Sequence, residues 1–225
     1  VRREFVLPPK AMKLYAQLVQ ESVASIEEVG ADITAENILT RLLRLQQLAG
    51  GFVNDDDGST HHVHDAKLGL LFDVLDDALA AGSKAVVFHR FTAEGNAIRE
   101  GLVRRGIGYT HIDGSVASAH RGHMVDSFQT DDDVRVFVAQ IQAAGLGITL
   151  TAADTSIFYS TGYSAADYQQ ARARTHRIGQ HRPVTHISLV ASGTVDEQIQ
   201  RALVDKRSIS EEFVDGGWRR FLGVE

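Results

Sequence analysis

The chain has 225 residues, 44% of them hydrophobic and 23% charged, with three prolines, no cysteine and a formal net charge of −6. That composition supports one packed core with a small appended subdomain, and it excludes a disulfide framework, thiolate metal sites and cysteine nucleophiles. No apolar run approaches the roughly 20 residues that span a bilayer, and the acidic average argues against a uniformly basic nucleic-acid binder, whose affinity comes from neutralising phosphates.

The start, Val1-Arg2-Arg3-Glu4, lacks a signal peptide's apolar stretch and reads as a cut point inside a longer, intracellular protein. Pro8-Pro9 suits a first helical turn, and Leu14, Leu18, Val19 and Ile26 continue at helical spacing. Thr34 is placed to cap a second helix with the stripe Ile38, Leu42, Leu45 and Leu48, closed by Gly50-Gly51. The polar stretch Asn54–His64 reads as a surface loop or linker. Residues 1–60 are therefore taken as a helical arm with its linker, and 61–225 as a lobe of alternating helices and strands. In that lobe the expected strands are Ala85–Phe88, Tyr109–Ile112, Val134–Ala139, Ser156–Ser160 and Val184–Val190. Helices are expected near Ala66–Ala81, after a Thr92 cap, up to Phe128, from Ala165 to Arg177, and after a Thr194 cap with Glu197 three residues on. Near-continuous apolar strands separated by helices predict an α/β fold, a parallel sheet covered by helices on both faces.

Charge is unevenly placed. Asp55-Asp56-Asp57 and Asp131-Asp132-Asp133 concentrate acid, whereas Arg172, Arg174, Arg177 and Arg182 lie in a stretch with none. On a helix Gln170, Arg174 and Arg177 share one face, with Ser164 and Asp167 placed to cap its start and Gly179 to end it. Two guanidiniums in register suit an oligophosphate, since each offers a planar fork of donors and a charge that does not titrate away. After Val134–Ala139, the segment Ala144–Asp154 carries Gly145 and Gly147, which let the backbone approach a ligand. A dinucleotide fingerprint fits it less well, because Leu150 stands at the third glycine's position and no acid follows at the required spacing.

The string Gln170-Ala171-Arg172-Ala173-Arg174-Thr175-His176-Arg177-Ile178-Gly179-Gln180 resembles the last helicase motif of the Swi/Snf family, Gln-Ala-x-x-Arg-x-His-Arg-Ile-Gly-Gln. Gly145–Asp154 is similar to the preceding motif, with Thr149 in place of its Asn and Gln142 where Lys or Arg is common. Val86–Thr92 resembles the motif that opens the second lobe, and Ile112-Asp113-Gly114-Ser115 its Asp-Gly-Ser segment, followed by Arg121 and Phe128. Tyr163-Ser164 and Asp167-Tyr168 are more similar to bacterial and phage members than to eukaryotic remodellers, which implies a cytoplasmic, nucleoid-associated protein.

The resemblance implies a RecA-like second lobe of a DNA-dependent ATPase. It implies Arg174 and Arg177 as catalytic arginines, and Gln170, Gly145 and Gly147 as ATP-binding. His89, Arg90, Ser115, Arg121 and Gln142 would contact DNA. A positioned arginine at a transferring γ-phosphoryl group contributes roughly 10³–10⁵ in rate. The chain has no Gly-x-x-x-x-Gly-Lys-Ser/Thr and no Asp-Glu-x-His box. ATP and Mg²⁺ would then be held mainly by a first RecA-like lobe, which with double-stranded DNA is the expected partner. The rival readings are a non-catalytic docking module of the same fold, or a small-molecule α/β enzyme using the Gly145–Gly147 loop. His61, His62, His64 and Asp65 are read as a solvated linker and no metal site is expected; Asp55-Asp56-Asp57-Gly58 lacks an EF-hand's alternation, and Trp218 is read as a packing residue.

Overall fold

A computed structural model describes residues 1–29, 35–55, 57–142, 147–205 and 218–222. Two compact units divide the chain. One holds residues 1–3, 68–162 and 166–189, and the other residues 4–67, 163–165 and 190–225.

The first unit is built on parallel strands β4 (Ala85–His89), β5 (Tyr109–Ile112), β6 (Val136–Gln140), β7 (Thr155–Phe158) and β8 (Thr185–Ala191), in the order β8-β7-β4-β6-β5. The N-terminal strand β1 (Arg2–Phe5) extends the sheet beside β8, starting where Ser188 donates its N–H to the Val1 carbonyl at 2.9 Å. β4 pairs in register with β6 and β7 on its two sides, Val87 opposite Val138 and Ile157. Side-chain alternation then sorts the strands into two faces. On one face Ala85, Val87, Val136, Val138, Ile157 and Leu189 pack with Leu71, Phe72 and Leu75 of α3 (Ala66–Ala80) and with Ile98 and Leu102 of α4 (Thr92–Arg104). On the other, Phe137 meets Phe128 of α5 (Ser118–Thr130) with centroids 5.3 Å apart, and Phe158 meets Tyr168 of α6 (Ala165–Thr175) at 4.7 Å. Phe88 stacks on Phe158 at 5.2 Å. These buried phenylalanines each contribute about 1.5–3 kcal/mol. The expected α/β sheet with helices on both faces is what forms.

The second unit contains α1 (Pro9–Val29), α2 (Ala35–Gly50), α7 (Val195–Asp205) and the short α8 (Trp218–Leu222). α2 buries Ile38, Leu42, Leu45 and Leu48, the stripe expected from spacing, whereas α1 buries Ala11 and Tyr15 with Val19 and Ile26 and leaves the expected Leu14 and Leu18 half-buried. Among the described residues no helix is long and apolar enough to cross a membrane.

Three further local expectations change. Asn54–His64 is no plain linker, because β2 (Phe52–Asn54) and β3 (Thr60–His62) form an antiparallel hairpin. Its turn is tied locally: Asp55 accepts from the Ser59 N–H at 2.7 Å, and Thr60 donates to Asn54 at 2.9 Å. Its histidines serve separate partners. His61 pairs with Asp55 and His62 with Asp65, both at 2.8 Å, while buried His64 donates to the Leu48 carbonyl at 2.9 Å. Thr92 is the first residue of α4 rather than its cap, and Glu94 closes that end by accepting the Phe91 N–H at 3.1 Å. Thr194 does cap α7, accepting the Asp196 N–H at 3.2 Å. α6 stops at Thr175, so Arg177 lies in the turn beyond the helix instead of on its face. Thr34 falls outside the described residues.

Candidate functional site

α6 leaves the carboxyl end of β7 and runs back along the sheet, so its last turn meets the segment that enters β7. Ser156 on β7 and Thr175 at the end of α6 share a buried hydrogen bond of 2.8 Å. The Leu150 N–H donates to the Arg174 carbonyl at 2.9 Å, and Arg177 Nη1 donates to Thr149 Oγ1 at 3.2 Å. Arg182 Nε pairs with the buried carboxylate of Asp154 at 2.9 Å. Between them sits Gln180, whose Nε2 donates to the carbonyls of Ala153 (2.7 Å), Thr151 (3.1 Å) and Thr175 (3.3 Å). Its Oε1 accepts the Arg182 N–H at 2.9 Å. One side chain thus fastens the two sequence motifs together. Its identity was legible in the motif, but this clamping role was not.

The turn that follows α6 is made by Gly179, whose φ of +98° suits a residue without Cβ, and Ile178 before it is 98% exposed. Arg177 is exposed. Arg174 is half-buried, and its Nε is buried with no hydrogen-bond partner among the described residues. Burial first, and then the neighbouring Arg177 charge, lowers its pKa from the ordinary arginine value. Two neighbouring like charges with an unused buried donor have the hydrogen-bonding and charge that suit an oligoanion. Gln170 is exposed one helical turn before Arg174. Gly147 is exposed with φ +75°, and Gly145 lies outside the described residues.

The residues expected to meet DNA come from the carboxyl ends of the neighbouring strands β4, β6 and β5. Arg90 follows β4 and lies over the Phe91 ring at 5.4 Å. Ser115 follows β5 and is exposed; its N–H and Oγ both donate to Asp113 Oδ1, at 2.9 and 2.5 Å. Arg121 on α5 donates to the Val116 carbonyl at 3.0 Å. Gln142, after β6, is exposed. His89 is different, being only 3% exposed, with Nδ1 donating to the Phe91 carbonyl at 3.0 Å. Burial pushes its pKa down to about 4, which keeps the ring neutral. It supports the surface residues from beneath.

Sequence reasoning missed Glu94 and Ser160, which bolt this edge together. The buried Glu94 carboxylate accepts the N–H groups of Arg90 (3.2 Å) and Phe91 (3.1 Å) and the hydroxyl of Ser160. The same hydroxyl accepts the Arg90 N–H at 2.8 Å. The available signal was an acid three residues after the N-cap of α4.

Comparison with known proteins completes the picture. The helicase conserved C-terminal domain family matches residues 66–179. The chromatin-remodeling ATPase INO80 of Cryptococcus neoformans is 40% identical over 152 residues, covering 68% of this chain and 9% of that protein. The chain thus spans about a tenth of the length of the curated relatives it matches. Among solved structures, the C-terminal part of the Fun30 ATPase domain superposes with a TM-score of 0.78 at 17% identity, covering 100% of this chain and 97% of that one. The Sulfolobus solfataricus SWI2/SNF2 ATPase core in complex with dsDNA gives 0.76 at 24% identity, covering 100% and 47%. The INO80 relatives of Cryptococcus neoformans, Mus musculus and Drosophila melanogaster are eukaryotic, so the expected bacterial or phage character finds no support in them.

Proposed function

The chain belongs to the helicase conserved C-terminal domain family, in the form found in Swi2/Snf2-family ATPases, and on that premise we propose that it is the second motor lobe of a DNA-dependent ATPase and translocase. The observation that carries this reading is the clamped pair Arg174 and Arg177, fixed on the segment 149–154 by Gln180 and Arg182. The unused, buried Nε of Arg174 and the proximity of the two charges fit a polyphosphate better than any group of the chain itself.

When bound, ATP with Mg²⁺ supplies the phosphoryl group to be transferred, and a first lobe carries the phosphate loop that this chain lacks. Arg174 and Arg177 approach the γ-phosphate as the lobes close and neutralise the charge that develops on its oxygens. Gln170 and Gly147, both exposed, are taken to contact the same nucleotide. Arg90, Ser115, Arg121 and Gln142 grip the DNA backbone, with His89 packed beneath, since phosphate contacts position a motor without reading sequence. The solved SWI2/SNF2 core in complex with dsDNA supports a duplex partner. Alternating closure and opening then moves the lobes along DNA inside the cell.

The test joins this chain to its first lobe and measures ATP hydrolysis with and without duplex DNA. DNA-stimulated turnover that falls at least about 10³-fold in Arg177→Ala, with nucleotide binding largely retained, is the expected result. An unchanged rate in that variant sinks the assignment of Arg177 as a catalytic arginine. Absence of DNA stimulation in the unmutated protein favours a non-catalytic docking module instead.

A further inference from the structure

We propose that Arg99 is a positioning residue, which sets the turn Asp113-Gly114-Ser115 in the orientation that contacts DNA. The inference rests on the DNA-contact reading of that turn and adds the residue that holds it.

Arg99 lies in the second turn of α4, yet its guanidinium serves three elements. Nε donates to the Gly95 carbonyl at 3.3 Å and Nη2 to Asn96 Oδ1 at 2.5 Å, both on its own helix. Nη1 reaches His111 Nε2 on β5 at 2.7 Å and lies 3.9 Å from Asp113 Oδ2 at the strand's end. The other Asp113 oxygen accepts both the N–H and the hydroxyl of Ser115. A continuous path therefore runs from helix α4 through one guanidinium and one carboxylate to the exposed Ser115. Arginine has donors only, so His111 Nε2 must be the acceptor in that bond and the ring must be neutral. Burial, followed by the Arg99 charge, lowers the His111 pKa and keeps it so. The Arg99 and Asp113 side chains are only 25% and 18% exposed, so salt screens this pair less than a surface ion pair.

The arrangement needs a fork. A lysine ammonium is a point charge that cannot address Asn96, His111 and Asp113 in three fixed directions at once. Without the fork, Asp113 keeps Ser115 but loses its own anchor to α4. The turn then samples orientations that waste its contact with a phosphate, and the loss belongs to DNA affinity, not to the chemical step.

The test uses the protein with its first lobe present and three variants: Arg99→Gln, Arg99→Lys and Asp113→Ala. Arg99→Gln is expected to raise the half-saturating duplex concentration of the ATPase about 5- to 10-fold, with turnover at saturating DNA within about twofold. Arg99→Lys should fall between, and it keeps the charge and stem if the glutamine variant folds poorly. In an Asp113→Ala background, Arg99→Gln should add less than about twofold, because both act through one turn. Equal multiplication in both backgrounds overturns the proposal. So does an unmoved half-saturating concentration.

Amide hydrogen exchange without DNA separates the two links. The Ser115 N–H should exchange at least about fivefold faster in Arg99→Gln, with the amides of α4 unchanged. Unchanged Ser115 exchange refutes the positioning itself. Faster exchange with unmoved DNA response refutes instead the reading of this turn as a DNA contact, and the proposal falls with it.

Discussion

At the scale of single residues, Gln180 shows how much one amide controls. Its Nε2 serves the carbonyls of Thr151, Ala153 and Thr175, and its Oε1 holds the Arg182 N–H. Leucine in its place keeps the bulk and removes every polar partner, so Gln180→Leu should cost about 1–3 kcal/mol in urea unfolding. In the two-lobe protein it should also lower turnover while leaving the half-saturating DNA concentration near its normal value, since Arg177 loses its framework and the loops proposed to contact DNA do not. A DNA response that shifts as much as turnover would contradict that division. His89 offers a second residue-scale test. The folded ring protonates only near pH 4, whereas an unfolded histidine protonates near 6.5. The contribution is therefore intact above about pH 6.5, declines as pH falls, and is lost by about pH 4. A shift of this size is worth about 3 kcal/mol. His186 adds in the same direction, pushed down to about 4 by burial and then by Arg172 and His176, with a smaller share because its side chain is half-exposed. Unfolding free energy measured from pH 7 to 4 should fall steadily, and His89→Gln should flatten the slope.

At the scale of elements, close approach of backbone to side chain decides the first turn of α4. Gly95 faces the His89 ring, where an added Cβ would lie 2.5 Å from Cε1 and 2.7 Å from Nε2. Glycine to alanine inside a helix normally gains about 1 kcal/mol. Here the ring is buried at 3% exposure and bonded to Phe91, so it cannot swing aside cheaply. Overpacking costs about 1–3 kcal/mol, and Gly95→Ala should therefore lower the thermal midpoint instead of raising it. The same region marks how far sequence carries. Strand β4 was readable because Ala85, Val86, Val87 and Phe88 form an uninterrupted apolar run, and a doubly covered parallel strand requires one. The hairpin of β2 and β3 was not readable. It contains Asn54, Thr60, His61 and His62, and its register is set by local polar bonds rather than by alternating hydrophobicity. The end of α6 failed by two residues for a similar reason: Gly179 was read as the helix stop, while the backbone had already turned after Thr175. The motif residues stood out because Gln170–Gln180 forms an extended string of fixed identities and spacing. Glu94 and Ser160 were not, since each is an ordinary polar residue whose partner lies on another element.

At the scale of the whole molecule, the feature hardest to read is a buried ion pair. Lys67 Nζ and Asp196 Oδ2 meet at 2.6 Å with side chains 1% and 6% exposed, joining positions 129 residues apart inside the second unit. Nearby, the Tyr15 hydroxyl accepts the Val195 N–H at 2.8 Å, so α1 and the start of α7 share the same polar patch. In the sequence each member looks like a surface residue, and only the fold reveals that both have left water. Such a pair stabilises little relative to apolar residues of the same size, because desolvation cancels most of the attraction. Removing one partner is another matter. Lys67→Met strands a carboxylate that is only 6% exposed and should cost about 3–5 kcal/mol in chemical denaturation. The double variant Lys67→Met with Asp196→Leu should recover most of that loss. Recovery should stay incomplete, because Asp196 also accepts the Ala191 N–H at 3.3 Å and leucine leaves that donor unserved. If the double variant is as unstable as the single one, the pair acts through its hydrogen bonds to the backbone and not through its charge. If instead it exceeds the unmutated chain in stability, the ion pair opposes folding and its retention reflects specificity in how α3 and α7 begin.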